Sequence, residues 1–150
     1  MEPTLLTILV LVSCSFDVVG IGENSVDLVY RVPMIPEANA KIAASQHRVS
    51  CGGQVATTLA ACAALGLRAA YVGTFGNDEN GTRIARALAD ARVDTSCSIV
   101  RDAPNRHAVI AVDERNGART VVWHRDAGLT LTTEELPVEV ISGARLVHVD

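Results

Sequence analysis

"SCGGQVATTLAACAALGLRAAYVG", residues 50–73, sets two adjacent glycines directly before an alanine-rich apolar segment. Val55 and Leu59, with the small residues Ala56, Ala60 and Ala63, recur at i, i+4 spacing, so residues 54–65 read as a helix. Gly66 stops it, and Leu67 beyond is placed for the hydrophobic contact of a glycine C-cap. "AAYVGTFG", 69–76, then reads as a strand. Gly52 and Gly53 admit two readings. Either their bare amides meet an anion or a hydroxylated ligand at the helix start, or they allow a tight turn and close helix–sheet packing.

Outward from this segment the chain keeps an alternating rhythm. "FDVVGIG", 16–22, is a short β-branched run ending in glycine, a buried strand by length and composition. "VDLVYRVP" follows with no room for a helix and is stopped by Pro33 and Pro36, and "QHRVSC", 46–51, is a further strand. Downstream, "ENGTRIARALADARV", 79–93, is a second amphipathic helix, with Asp78 placed to cap it rather than to bind a metal. Strand, helix, strand, helix predicts an α/β fold with a parallel sheet. Residues 106–126 break the rhythm with two alternating β runs around Asn116-Gly117, a strong hairpin signal. Ala108, Ile110 and Val112 share one face of it, Val109, Ala111 and Asp113 the other. Such a hairpin stands off the main sheet, in a position to pair with the strands at 27–32 and 47–51. "TTEELPVEVISGA", 132–144, predicts a short helix capped at Thr132 or Thr133, and "RLVHVD", 145–150, a last buried strand. The chain stops there with no helix to cover that strand, which predicts an incomplete domain.

At 150 residues, 49% hydrophobic and 20% charged, the chain can bury the core of one modest domain or of part of a larger one. Its net charge of −4, with a single lysine and scattered arginines, argues against a nucleic-acid surface. Four cysteines without C-x-x-C spacing read as small buried residues of a reducing compartment. His47 and Cys51 lie four apart in a stretch that looks extended, so they do not form a ligand pair. "LLTILVLVSC", 5–14, is too short to cross a bilayer, and its end at Cys14 has the form of a lipoprotein box. No Lys or Arg precedes it, so residues 1–15 are read as an apolar extension ahead of a cytoplasmic domain, with no membrane partner.

Two phosphate loops fail on inspection. Gly20-x-Gly22 has Ser25 at the third glycine position and is followed by a strand-like run, and Lys41 follows an alanine where a Walker loop needs glycine. The order of "GENSVD" (22–27), "CGGQVATTLAACAALG" (51–66), "YVGTFGNDENG" (71–81) and the hairpin resembles the N-terminal half of the ribokinase-like, or PfkB, carbohydrate kinase family. The resemblance covers residues 16–150. Gly76-Asn77-Asp78 with Gly81 matches the family's glycine-x-aspartate-x-x-glycine turn.

The resemblance implies an α/β, ribokinase-like sheet with flanking helices and a small β-lid (about 27–32, 47–51 and 106–126), truncated before the C-terminal nucleotide-binding half. It implies transfer of the ATP γ-phosphate to a hydroxyl of a sugar or sugar-like substrate, with this chain supplying the substrate-binding side. By position, Asp27 matches the aspartate that grips sugar hydroxyls, and Gly52 and Gly53 match the backbone that approaches them. Ser25, Gln54 and Thr57 stand where ribokinase-type members read the substrate with other polar residues, which sets a ribose preference aside. ATP and Mg2+ would serve the complete enzyme through residues not in this chain. The family's Gly-Ala-Gly-Asp motif, which supplies the general base and anion hole, is absent from these residues, and "SGARL", 142–146, does not replace it. This chain alone is therefore expected to be inactive. A non-catalytic sugar- or nucleoside-binding module, or a decayed gene product, is the alternative, and a lipid-anchored extracellular binder hangs on Cys14 alone. Trp123 is placed for a homodimer contact through the lid or for a plain cross-strand contact. Arg125 and Asp126 read as solvated charges, and His148 and Asp150 lie at the ligand edge of an open α/β sheet.

Overall fold

A computed structural model describes residues 15–150, so the apolar stretch at 5–14, with Cys14, lies outside the described residues. The chain runs β1 (Val18–Ile21), β2 (Ser25–Val32), β3 (Gln46–Gly52), α1 (Gln54–Ala64), β4 (Ala69–Val72) and β5 (Thr74–Gly76). It continues through α2 (Glu79–Asp90), β6 (Val93–Asp94), β7 (Ile99–Arg101), β8 (His107–Asp113), β9 (Arg119–His124), α3 (Val138–Ser142) and β10 (Leu146–Val149). Single 3₁₀ turns occupy Ala127–Leu129 and Thr133–Glu135.

The main sheet is parallel throughout, in the order β10-β1-β4-β6, with Val18 in register between Leu146 and Ala69. One of its faces buries Val18, Val26, Tyr71 and Phe75 with Val55 and Leu59 of α1 and Ile84 and Leu88 of α2. The other buries Val19, Ala70 and Val72 beneath Leu136, Val140 and Ile141. Burying one such aliphatic side chain stabilises by about 1.5–3 kcal/mol, so the two helices are held chiefly by these contacts. α1 ends as the sequence predicts. Gly66 takes φ +88°, its N–H bonds the Ala63 carbonyl at 3.0 Å, and the Leu67 N–H bonds that of Cys62 at 3.1 Å.

A second sheet, the lid, has the order β3-β2-β8-β9. β2 pairs antiparallel with β3 and parallel with β8, and β8 returns antiparallel as β9. Residues 27–32 therefore do pair with the hairpin, through β8, whereas residues 47–51 pair with β2 on its other side and not with the hairpin itself. Cross-strand partners share a face. Gly52 and Ser25 make one row, Ser50, Asp27, Ala108 and Trp123 the next, and Arg48, Val29, Ile110 and Val121 the one beyond.

Five local expectations change. The run at 69–76 is two strands: β4 stays in the main sheet, and past Gly73 the chain turns away as β5 to pair with β7. α2 stops at Asp90, because Arg92 adopts φ +63° and turns Val93 into β6 and the core. The hairpin loop is longer than Asn116-Gly117. Asp113 and Ala118 close it with a 2.8 Å bond, and Gly117 alone takes the left-handed region, φ +75°. The helix predicted over 132–144 is divided, since Pro137 has no N–H to extend the capping-box turn set by Thr132 and Glu135. Finally, β10 is exposed rather than buried, as the edge of its sheet among the described residues.

Candidate functional site

A cleft of about 1660 Å3 lies between one face of the lid and the end of the main sheet where β1 and β10 finish and α1 begins. Ser25, Asp27, Gly52, Gly53, Gln54 and Thr57, the six residues singled out in the sequence, all line it. β2 brings Asp27 there because a lid strand alternates its faces, and Asp27 shares the cleft face with Ser25 and Val29. Ser25 is buried and its Oγ donates to Asp27 Oδ1 at 2.8 Å, which fixes the carboxylate's direction.

The glycine pair is explained in part by the chain itself. A Cβ on Gly52 would stand 2.8 Å from Asp27 Oδ2, so the carboxylate rests against the bare Cα. Gly53 has φ +98°, and its missing Cβ leaves room for the Glu23 carbonyl oxygen at 2.5 Å and Asn24 Cα at 2.6 Å. At this point the turn leading into β2 crosses the start of α1. Gln54 and Thr57 follow on the first turn of α1, exposed to the cleft, where the Thr57 N–H makes a helical bond to the Gly53 carbonyl at 3.0 Å.

α1 carries no acidic residue in its first turn and no side-chain cap of its own. Asp150 supplies one from the end of β10. Its Oδ2 accepts from the Val55 N–H at 3.2 Å, and its Oδ1 from the Glu23 N–H at 3.1 Å. A carboxylate at a helix start satisfies an orphan amide and suits the helix dipole. His148 also lines the cleft.

Three charged residues that the sequence did not single out as a group meet at the root of the lid. Glu23 pairs with Arg106, which precedes β8, and with Arg125, which follows β9, at 2.7 Å for the latter. The Arg106 guanidinium lies 5.5 Å from the centre of the Trp123 ring, on the cleft face. Arg125 is thus paired rather than solvated, and Asp126 accepts from the Gly128 N–H at 2.7 Å to start a 3₁₀ turn. The parallel pairing of β2 with β8 would have disclosed the group, because it sets Arg106 beside Ser25. Asp78 caps α2 as expected, its Oδ1 accepting from the Gly81 N–H at 2.9 Å. Among the described residues no three His, Cys, Asp or Glu side chains gather as a metal site.

Residues 15–150 match the pfkB family of carbohydrate kinases. Over 134 residues the chain is 38% identical to fructokinase-1 of Oryza sativa subsp. japonica, covering 87% of this chain and 40% of that protein. It is 28% identical over 131 residues to an ATP-dependent ribose-1-phosphate kinase of Halopiger xanaduensis, covering 87% and 44%. Its fold superposes on the Giardia lamblia ribokinase with a TM-score of 0.77 at 26% identity, covering 89% of this chain and 41% of that one. The chain spans about two fifths of the length of the curated relatives it matches. With this α/β sheet, β-lid and glycine-bounded helix, the chain belongs to the pfkB family of carbohydrate kinases.

Proposed function

We propose that this chain supplies the substrate-binding side of a cytoplasmic carbohydrate kinase. In the complete enzyme ATP, with Mg2+, donates its γ-phosphate to a hydroxyl of a sugar or sugar-like substrate held in the cleft. The observation that carries this reading is the Asp27 carboxylate, steered by Ser25 and lying against the uncovered Cα of Gly52. A carboxylate accepts hydroxyl protons in charge-assisted bonds worth about 1.5–3 kcal/mol each. Side by side with bare peptide, it suits a ligand whose edge is all hydroxyls. Gln54 and Thr57 on the first turn of α1 read the same ligand with an amide and a hydroxyl.

The chain's own part is to bind and orient. Phosphoryl transfer needs positioned charge around the γ-phosphate and a base for the attacking hydroxyl, and no residue in this cleft is assigned to either task. The chain alone should therefore bind sugar without consuming ATP.

Calorimetric titration against a sugar panel headed by fructose and ribose tests the reading. Binding is expected, with Asp27→Asn weakening it about tenfold or more, since a neutral amide replaces an ionic acceptor. A panel without a binder, or an unchanged Kd in the variant, overturns it. Measurable ATP turnover by this chain in a coupled assay would overturn the inactive-half reading on its own.

A further inference from the structure

Two asparagines that lie outside the proposed sugar contacts fasten the lid to the body. Asn24 ends the turn between β1 and β2, and Asn105 lies between β7 and β8, so they mark the points where the chain leaves the body for the two central lid strands. Both are buried, Asn105 completely. Asn105 Nδ2 donates to Asn24 Oδ1 at 2.9 Å, joining the two exits directly. Each amide also reaches the body. Asn24 Nδ2 donates to Tyr71 Oη at 2.9 Å and to the Thr74 carbonyl at 2.8 Å, while Asn105 Oδ1 accepts from the Gly76 N–H at 2.9 Å. The Asn105 N–H donates to Asp78 Oδ2 at 3.1 Å, and the Tyr71 hydroxyl donates to the Gly22 carbonyl at 2.7 Å. Burial pushes the Tyr71 phenol up, so it keeps the proton it gives.

Only a carboxamide fits this arrangement. Asn24 must donate twice and accept once, and neither a carboxylate nor an apolar side chain of similar size can do both. Buried polar networks that are fully satisfied fix one arrangement strongly, whereas partly satisfied ones are costly. The lock also touches the site: Asn24 Cα occupies the space a Gly53 Cβ would need, and three residues further along β2 stands Asp27.

We propose that Asn24 and Asn105 are positioning residues, a buried amide lock that sets the lid on the main sheet and so holds Asp27 against Gly52 and Gly53. This rests on the sugar-site reading above for its functional meaning, and on the hydrogen bonds alone for the lock itself.

Hydrogen exchange on the whole chain tests the lock without any ligand. Asn24→Asp, which removes both donated bonds, and Tyr71→Phe, which removes one hydroxyl and keeps the ring, are compared with the wild type. Amides of β2 and β8 should exchange about tenfold faster in each variant while those of β1 and α1 stay close to wild type, the mark of local opening. An equal acceleration in lid and body, or an unchanged lid, overturns the lock. If Asn24→Asp does not fold, Tyr71→Phe decides between these outcomes alone. Titration of the same variants with the sugars that bind the wild type should show weaker binding, and unchanged affinity with a loosened lid overturns the positioning role. A wild type that binds no sugar counts against the kinase-side reading and leaves the exchange result standing.

Discussion

A methyl group on Gly53 would lie 2.5 Å from the Glu23 carbonyl oxygen, at a φ of +98° that side chains rarely adopt. A methyl group on Gly52 would meet only the end of the Asp27 side chain, at 2.8 Å. The two substitutions should therefore separate. Gly53→Ala forces main chain apart and should cost about 1–3 kcal/mol of stability, seen as a drop of several degrees in Tm. Gly52→Ala lets Asp27 rotate aside, so its melting curve should stay near wild type while sugar binding weakens. Thermal melts paired with titrations check both, and the reverse ranking would contradict the packing described for the turn at Glu23.

Between elements, Asp17 ties the starts of three strands. Just ahead of β1, its Oδ2 accepts from the Arg68 N–H at 2.9 Å and from Arg68 Nε at 3.3 Å, and its Oδ1 from Arg145 Nη1 at 3.2 Å, which anchors β4 and β10 beside it. These bonds, led by the one from the Arg68 main chain, hold its carboxyl down to about 2 from an ordinary 3.8. A depressed carboxyl contributes stability that is complete above its unfolded value and lost as pH falls through the folded one. Urea melts at pH 4 and pH 2 should thus show a shallower loss for Asp17→Asn than for the wild type, and parallel losses would remove Asp17 from the acid response. The element boundaries that were legible had local causes: α1 has its Gly66 stop, and β8 its apolar, β-branched run ahead of the Asn116-Gly117 turn. Those that were not depend on partners elsewhere in the chain. Nothing within 69–76 announces that β5 will leave for β7, and β10 reads as buried by composition although no strand lies beyond it among the described residues. The site divides in the same way. Asp27 and the glycine pair are marked as site residues by the family resemblance, whereas Glu23, Arg106 and Arg125 become a group only once β2, β8 and β9 run side by side.

At the scale of the molecule, β10 is one edge of the main sheet among the described residues, and its Leu146, Val147 and Val149 are exposed. An apolar strand edge is a template for another chain. Self-association rising with concentration is expected in light scattering, and Leu146→Lys should reduce it while changing stability by less than about 0.5 kcal/mol. Association that ignores this charge would place the contact elsewhere. The central ladder of the lid carries a different consequence. β2 and β8 pair across roughly eighty residues, with β3, α1, β4, β5, α2, β6 and β7 between them. On a ribosome adding about 5–20 residues per second, β2 and β3 would stand as a hairpin with one unzipped side for roughly 3–12 s before β8 is made to close it. During synthesis that interval is when the nascent chain is most exposed to mispairing, and when a holdase would have something to hold.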